Sequence, residues 1–164
     1  MTDKLFPIFF LSKPGKDLRP SETTKKCIRI YDKLAEEYGT SVNILTGIEA
    51  KAAYEKEFPH CKIYCHEFNA LENAQHIPSM IRNRILDLGK MIDADWLYML
   101  DDDFALTWFD DPAGVERVIV DVGKLHTALC IWQFYIEKDA GIVGMPVVNS
   151  FSERHIVVDD VRLC

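Results

Sequence analysis

The feature that most constrains this chain is its alternation of short apolar runs with longer stretches of helical periodicity. Residues 5–11 form an apolar run stopped by Ser12-Lys13-Pro14-Gly15, the pattern of a buried strand entering a loop. Ser21 or Thr23 can cap the helix that follows, in which Cys27, Ile30, Tyr31, Leu34 and Tyr38 recur at helical spacing and which Gly39 ends. Residues 41–46 alternate and predict a second strand, 48–58 a short helix closed by Pro59, and 61–68 a third strand of period two. A polar loop is expected over 69–79. Pro78 opens a strong helix through Met91, with Ile81, Ile85, Leu88 and Ile92 in one apolar stripe and Arg82, Asn83 and Arg84 in its first turns. Residues 96–100 are nearly all apolar, the pattern of a strand buried on both faces. Residues 115–137 predict a helix with Val118, Val122, Leu125, Leu129, Trp132 and Ile136 on one side, weakened locally by Gly123. A strand over 142–148 completes the order β-α-β-α-β-α-β-α-β, with 156–158 as a last apolar run, and this order predicts an α/β fold with a largely parallel sheet. No repeat or Gly/Ser-rich linker divides the chain, so residues 1–164 are expected to form a single domain.

Composition narrows the function classes. The 164 residues carry 26 acidic and 19 basic side chains, a formal net charge of −7. Without a clustered Lys/Arg tract, bulk charge offers nucleic acid no attraction, although a local basic pocket is compatible with it. No apolar run approaches the roughly 20 residues of a membrane helix, and no secretory h-region opens the chain. The five cysteines, Cys27, Cys61, Cys65, Cys130 and Cys164, are odd in number and irregularly spaced, which reads as reduced thiols in a cytoplasm-like compartment. His60, Cys61, Cys65 and His66 invite a zinc reading. On a strand, however, the two cysteines share one face and the two histidines the other, so buried strand thiols are the simpler expectation.

The negative charge gathers where chemistry would use it. The run 96–100 ends abruptly in Asp101-Asp102-Asp103, and in open α/β sheets ligands bind beyond the carboxyl ends of strands. Three adjacent carboxylates repel one another, so proton uptake or a bound cation must offset the repulsion. Hard divalent ions such as Mn²⁺ and Mg²⁺ take oxygen ligands and complete their shell with water and substrate phosphates. Strand alternation places Asp101 and Asp103 on one side and Asp102 on the other, so that one carboxylate can hold a metal while another bonds a sugar hydroxyl. The plainer alternative is a solvated acidic turn. Asp110 and Asp111, before Pro112, read as a helix N-cap and its dipole partners.

Residues 78–106, PSMIRNRILDLGKMIDADWLYMLDDDFAL, carry a family resemblance. An Arg-Asn helix, an apolar strand and a DxD motif in succession resemble the core of GT-A-type nucleotide-sugar glycosyltransferases. Among them the chain is most similar to those associated with TET-type base-modifying dioxygenases, many of them from phages. The similarity follows element order along the whole chain and is specific over 78–106. It implies a GT-A (Rossmann-like) fold, an open, mostly parallel sheet flanked by helices. It also implies transfer of a sugar from a nucleoside-diphosphate donor, UDP-sugar first, to a hydroxyl acceptor, with Mn²⁺ or Mg²⁺ as cofactor. By residue, it implies Asp101 and Asp103 as the carboxylates that bind the metal–diphosphate and the donor's ribose or sugar, with Asp102 between them a further donor contact, and Arg82 toward the donor sugar or phosphate. Ser12 and Lys13 open the loop, residues 12–16, that lies where such enzymes hold the nucleotide's base and ribose, which implies both as donor contacts. The Asp159-Asp160 pair resembles the later acidic motif that supplies the base, with Asp160 as the base and Asp159 where the family usually has Glu. A hydroxymethylated base in DNA is the acceptor the phage-type members suggest. The family continues well past this last motif, whereas Cys164 lies four residues beyond Asp160, so the chain reads as a compact member, a truncated copy, or a donor-binding half whose acceptor site comes from a partner such as a second copy.

Two other classes compete. A haloacid-dehalogenase-type phosphatase pairs Asp101/Asp103 with Asp159/Asp160 and a lysine, Lys124 or Lys138; its first motif, however, normally ends the first strand and continues to Thr or Val, where Ala105 stands here. A degenerate nucleotide-sugar fold serving as a non-catalytic interaction module is the other. Lys13-Pro14-Gly15-Lys16 lacks P-loop spacing, and no Gly-x-Gly-x-x-Gly occurs. His126, His155 and Cys130 read as packing or surface groups, and Trp96, Trp108 and Trp132 as core, with Trp108 beside the acid loop able to face a ligand.

Overall fold

Apolar strands with hydrophobic residues on both faces are stable only when helices cover each face, and that arrangement dominates the first part of this chain. The computed structural model describes residues 5–67, 77–102, 107–109, 117–119 and 122–136. The chain divides into two compact units, 2–104 and 105–164. In the first, β1 (Ile8–Leu11), β2 (Val42–Gly47), β3 (Lys62–His66) and β4 (Tyr98–Asp101) form one sheet in the order β3-β2-β1-β4. Every pairing is parallel, with Leu11 opposite both Leu45 and Asp101. The expected α/β class and parallel sheet are thus present.

The interior strands explain a correction. Residues 41–46 read as alternating, yet all six residues of β2 are buried. Asn43 mimics an exposed position in the sequence; inside the sheet its amide donates to Ile8 O at 3.1 Å and to Ser41 Oγ at 3.1 Å, which offsets part of its desolvation. The run 96–100 departs in the other direction. Only 98–101 enter the strand, Trp96 is 39% exposed, and among the described residues β4 pairs with β1 alone. It is an edge strand of the described sheet, and the expected strand over 142–148 lies outside the described residues.

Helix α1 (Glu22–Tyr38) is delimited by local chemistry. The Ser21 hydroxyl accepts from Thr24 N at 3.0 Å, and Gly39 closes the helix in the left-handed region (φ 69°), donating to Ala35 O at 2.9 Å. Its buried stripe is Thr24, Cys27, Ile28, Tyr31 and Leu34. Ile30, expected on that stripe, is only partly buried, and Ile28 takes its place. A 3-10 turn, Ile48–Ala50, runs into α2 (Lys51–Glu57), and Tyr54 and Phe58 anchor this segment in the core. Lys25 and Arg29 of α1 pair with Glu57 of α2.

Helix α3 (Ile77–Met91) covers one face of the sheet. Ile81, Ile85 and Leu88 form a cluster with Phe9 and Leu45, against which Leu11, Tyr64, Ile92, Leu97 and Met99 pack. The four-residue stripe read from the sequence is the one observed, with Ile92 half-buried. The opposite face, carrying Ile8, Phe10, Ile44 and Leu100, meets α1, where Tyr31 sets its ring edge-on to Phe10 at 5.0 Å.

In the second unit, β5 (Thr107–Phe109) pairs antiparallel with β6 (Arg117–Ile119), and α4 (Val122–Ile136) follows. The expected helix over 115–137 therefore begins later, at Val122, and Val118 lies in a strand. The β-branched run Val118-Ile119-Val120 favours a pleated surface over a helix, and that local preference prevails over the apolar spacing. The N-cap reading of Asp110 and Asp111 falls outside the described residues, as do the expected strand over 142–148 and the apolar run 156–158. Among the described side chains of α4, Leu125, Ala128, Leu129 and Gln133 are buried.

The face between α3 and the sheet buries a continuous apolar cluster. Ile85→Ala is expected to destabilise by about 2–5 kcal/mol, whereas Leu86→Ala, at a site 48% exposed on the same helix, stays within about 0.5 kcal/mol. Urea unfolding followed by circular dichroism checks both values.

Candidate functional site at the carboxyl end of the sheet

The carboxyl ends of β1 and β4 lie side by side, and the residues just beyond them, Ser12 and Asp102, are joined by their side chains. Ser12 is fully buried; its backbone N–H continues the ladder to Leu45 O at 3.0 Å, and its hydroxyl donates to Asp102 Oδ2. Thr24 Oγ1, on the first turn of α1, donates to the same oxygen at 3.0 Å. These two bonds fix the direction of the others. Having given its one proton to the carboxylate, Ser12 Oγ accepts from the Tyr54 hydroxyl at 2.6 Å. By the same count Thr24 Oγ1 accepts from Ser21 Oγ at 2.8 Å, while Ser21 Oγ caps the helix. Four hydroxyl protons thus run toward one carboxylate oxygen. Hydrogen bonds to an ionised acceptor are the stronger kind, about 1.5–3 kcal/mol each.

Asp101 faces the other way. Its side chain is 59% exposed and lies 3.7 Å from an Arg82 guanidinium nitrogen on the first half of α3. The alternation expected of Asp101 and Asp102 is present in these partners: α3 supplies the first, α1 and β1 the second. An exposed pair at this distance is worth about 0–1 kcal/mol, so it leaves the carboxylate accessible to a cation or phosphate-bound ion. Arg82, Asn83 and Arg84 are all exposed. Asp103, Asp159 and Asp160 lie outside the described residues, as does His155. Among the described residues no group of three or more His, Cys, Asp or Glu side chains is gathered as a metal site.

The loop after Ser12 carries three exposed cations, Lys13, Lys16 and Arg19. Gly15 O accepts from Leu18 N at 3.0 Å and Gly15 N donates to Arg19 O at 2.8 Å, closing a tight turn in which Asp17 Oδ1 also accepts from Arg19 N at 3.2 Å. Leu18 is forced to φ 62° while 45% exposed. A leucine in the left-handed region costs roughly 1–2 kcal/mol, a strain of the kind that concentrates in ligand loops.

Sequence reasoning brought Ser12, Arg82, Asp101 and Asp102 to this end of the sheet and missed Thr24 and Tyr54. Thr24 had one local signal, a polar residue on the apolar stripe of α1. Tyr54 had none, since 42 residues separate it from Ser12. Burial raises the Tyr54 phenol pKa, and the Asp102 charge adds to the effect, while the bond with Ser12 opposes it.

The cysteine readings shift as well. Cys61 and Cys65 are half-buried, not fully buried, because β3 lies at the sheet's edge and Cys61 precedes it. Cys61 Sγ donates to Asp32 Oδ1 at 3.6 Å. Burial, the Asp32 charge and that bond push the Cys61 thiol up to about 12. On α4, Cys130 is half-buried and its sulfur lies 3.5 Å from His126 Nε2, one turn away. No helix among the described residues is long and apolar enough to cross a membrane.

Comparison with known proteins finds no matching family model, no matching curated protein and no matching solved structure.

Two tests follow from these environments. At pH 8 the Cys61 thiolate is scarcer by roughly a thousandfold than that of an ordinary thiol. Iodoacetamide should therefore leave native Cys61 unmodified by mass spectrometry, and Asp32→Asn should speed its alkylation several-fold. Tyr54 keeps its proton in the folded state at a pH where the unfolded chain has lost it. Its contribution is complete below about pH 10, the ordinary tyrosine pKa, and is lost as pH rises above that value. Urea unfolding between pH 9 and 11 should accordingly show a shallower alkaline loss of stability in Tyr54→Phe than in the parent.

Proposed function

We infer that this chain is a metal-dependent glycosyltransferase of the GT-A type. In this reading it moves a sugar from a nucleoside-diphosphate sugar, UDP-sugar first, to a hydroxyl acceptor. The observation that carries the reading is the pair of adjacent carboxylates at the carboxyl end of β4. One is held by protein hydroxyls, and the other is exposed beside Arg82, next to the cationic loop that follows β1. That placement suits a nucleoside diphosphate, whose charge calls for cations and whose ribose and sugar call for carboxylate and hydroxyl partners.

A divalent ion, Mn²⁺ or Mg²⁺, would neutralise charge on the leaving diphosphate. The exposed Asp101 carboxylate fits a hard cation that takes few protein ligands and fills its shell with water and phosphate oxygens; Asp103 would be its companion. Arg82 would sit against the diphosphate, exchanging part of its long ion pair with Asp101 for phosphate oxygens. Lys13 would approach the same charge from the β1 loop, Asp102 would face the ribose or sugar, and Asp160, with Asp159 beside it, would accept the proton of the attacking hydroxyl. We place the enzyme in the cytoplasm and take a hydroxymethylated DNA base as one acceptor to test, with a second copy of the chain as a candidate partner.

A thermal shift series tests the reading. Mn²⁺ with UDP or UDP-sugars should raise Tm by several degrees where neither alone does, and Asp101→Asn should remove the shift. Absence of any metal-dependent nucleotide response in the parent protein overturns the reading. Hydrolysis of a phosphate ester that Asp101→Asn abolishes would assign the site to a phosphatase instead.

A further inference from the structure

Backbone pairing between β1 and β4 ends with Leu11 opposite Asp101. One residue further on, side chains continue the connection, Ser12 to Asp102, and two further hydroxyls reinforce it from separate helices. Tyr54 of α2 reaches Ser12 Oγ at 2.6 Å, and Thr24 of α1 reaches Asp102 Oδ2 at 3.0 Å. Tyr54 is fully buried, its ring packed near Phe58 with centroids 6.0 Å apart, and Ser12 is fully buried too. Neither Tyr54 nor Ser12 is placed to touch a bound molecule in this geometry. Their hydroxyls are nonetheless aligned in series on a carboxylate that is itself only half-buried. Asp101, the next residue back, has one long ion pair and is mostly exposed.

The electrostatic consequence is directional. Adjacent carboxylates repel, and donors gathered on the α1 side of Asp102 draw its charge toward that side. The cation-facing side of the strand end is thereby left to Asp101. A carboxylate with two fixed donors also has fewer rotamers, so the turn after β4 is held where β1 ends.

We propose that Tyr54, acting through Ser12, and Thr24 are positioning residues that fix the Asp102 carboxylate and so set the β4 terminus for a metal–nucleoside-diphosphate complex. The proposal rests on the glycosyltransferase reading above. It moves Ser12 from the group of donor contacts to the supporting layer behind them, and it adds two residues that no motif marked. Removing the Tyr54 hydroxyl leaves Ser12 anchored at one end only. Removing the Thr24 hydroxyl leaves Asp102 with one of these two donors.

The experiment is calorimetric titration of the whole chain with UDP in excess Mn²⁺. Tyr54→Phe, Thr24→Val and Tyr31→Phe are compared with the parent at a temperature where circular dichroism shows all four folded. Tyr31→Phe is the control, because its hydroxyl is buried without a hydrogen-bond partner and belongs to no part of this chain of donors. UDP affinity should fall about tenfold in Tyr54→Phe and in Thr24→Val, the usual scale for losing a supporting hydrogen bond behind a ligand group, and should stay within about twofold in Tyr31→Phe. Either of the first two variants decides the matter if the other does not fold. Unchanged affinity in a folded Tyr54→Phe or Thr24→Val, with the parent binding UDP, overturns the proposal and leaves the glycosyltransferase reading standing. A parent protein that does not bind UDP with Mn²⁺ overturns both.

Discussion

One oxygen atom, Oδ2 of Asp102, is the point on which the first unit converges at its carboxyl end. Ser12 reaches it from the end of β1 and Thr24 from the start of α1, while Tyr54 reaches it from α2 through Ser12. A parallel sheet has no tight turns between neighbouring strands, so the loops beyond its strand ends need tethers other than the ladder. Here the tether is a charge-assisted hydrogen-bond network, and it defines where the cationic loop 13–19 leaves the sheet. Because donors and acceptors must match one by one, the network has one consistent direction of protons, and each hydroxyl along it depends on its neighbour.

Pleating does the rest. Consecutive residues at the end of β4 are directed to opposite faces, so Asp101 belongs to the α3 side with Arg82 and Asp102 to the α1 side with Thr24. Two carboxylates that are neighbours in the chain therefore have different environments, one solvated and one held. The difference sets two accessibilities side by side within a two-residue segment. The same alternation arranges the core: Phe9 and Leu45 face α3, whereas Phe10 faces Tyr31 of α1.

How legible this was in the sequence depended on the range of the interaction. Helix α1 could be read nearly to its ends, because a Ser21 cap and a Gly39 terminator act within one turn of the chain. The stripe Ile81, Ile85, Leu88 and Ile92 was equally readable, since helical periodicity is a local property. Asn43 misled, because a polar residue looks solvent-facing until Ile8 O and Ser41 supply its partners across strands. The stretch around Val118 misled for a different reason: its apolar spacing suited a helix while its β-branched side chains suited a strand, and pairing with Trp108 supplied the partner that a strand requires.

The acid run was visible at once, and so was its position after an apolar strand; composition and period alone determine that this chain builds an α/β sheet with carboxylates at a strand end. Tertiary structure decided what each carboxylate does. Only folding brings Tyr54 to Ser12 across 42 positions, and Thr24 to Asp102 across 78. It also sets β4 beside β1 in the described sheet, a pairing that apolar content alone does not choose. The physical reason is the same in both cases. Periodicity and capping are settled within a few residues of the chain, whereas hydrogen-bond partners and strand neighbours are selected from the whole of it.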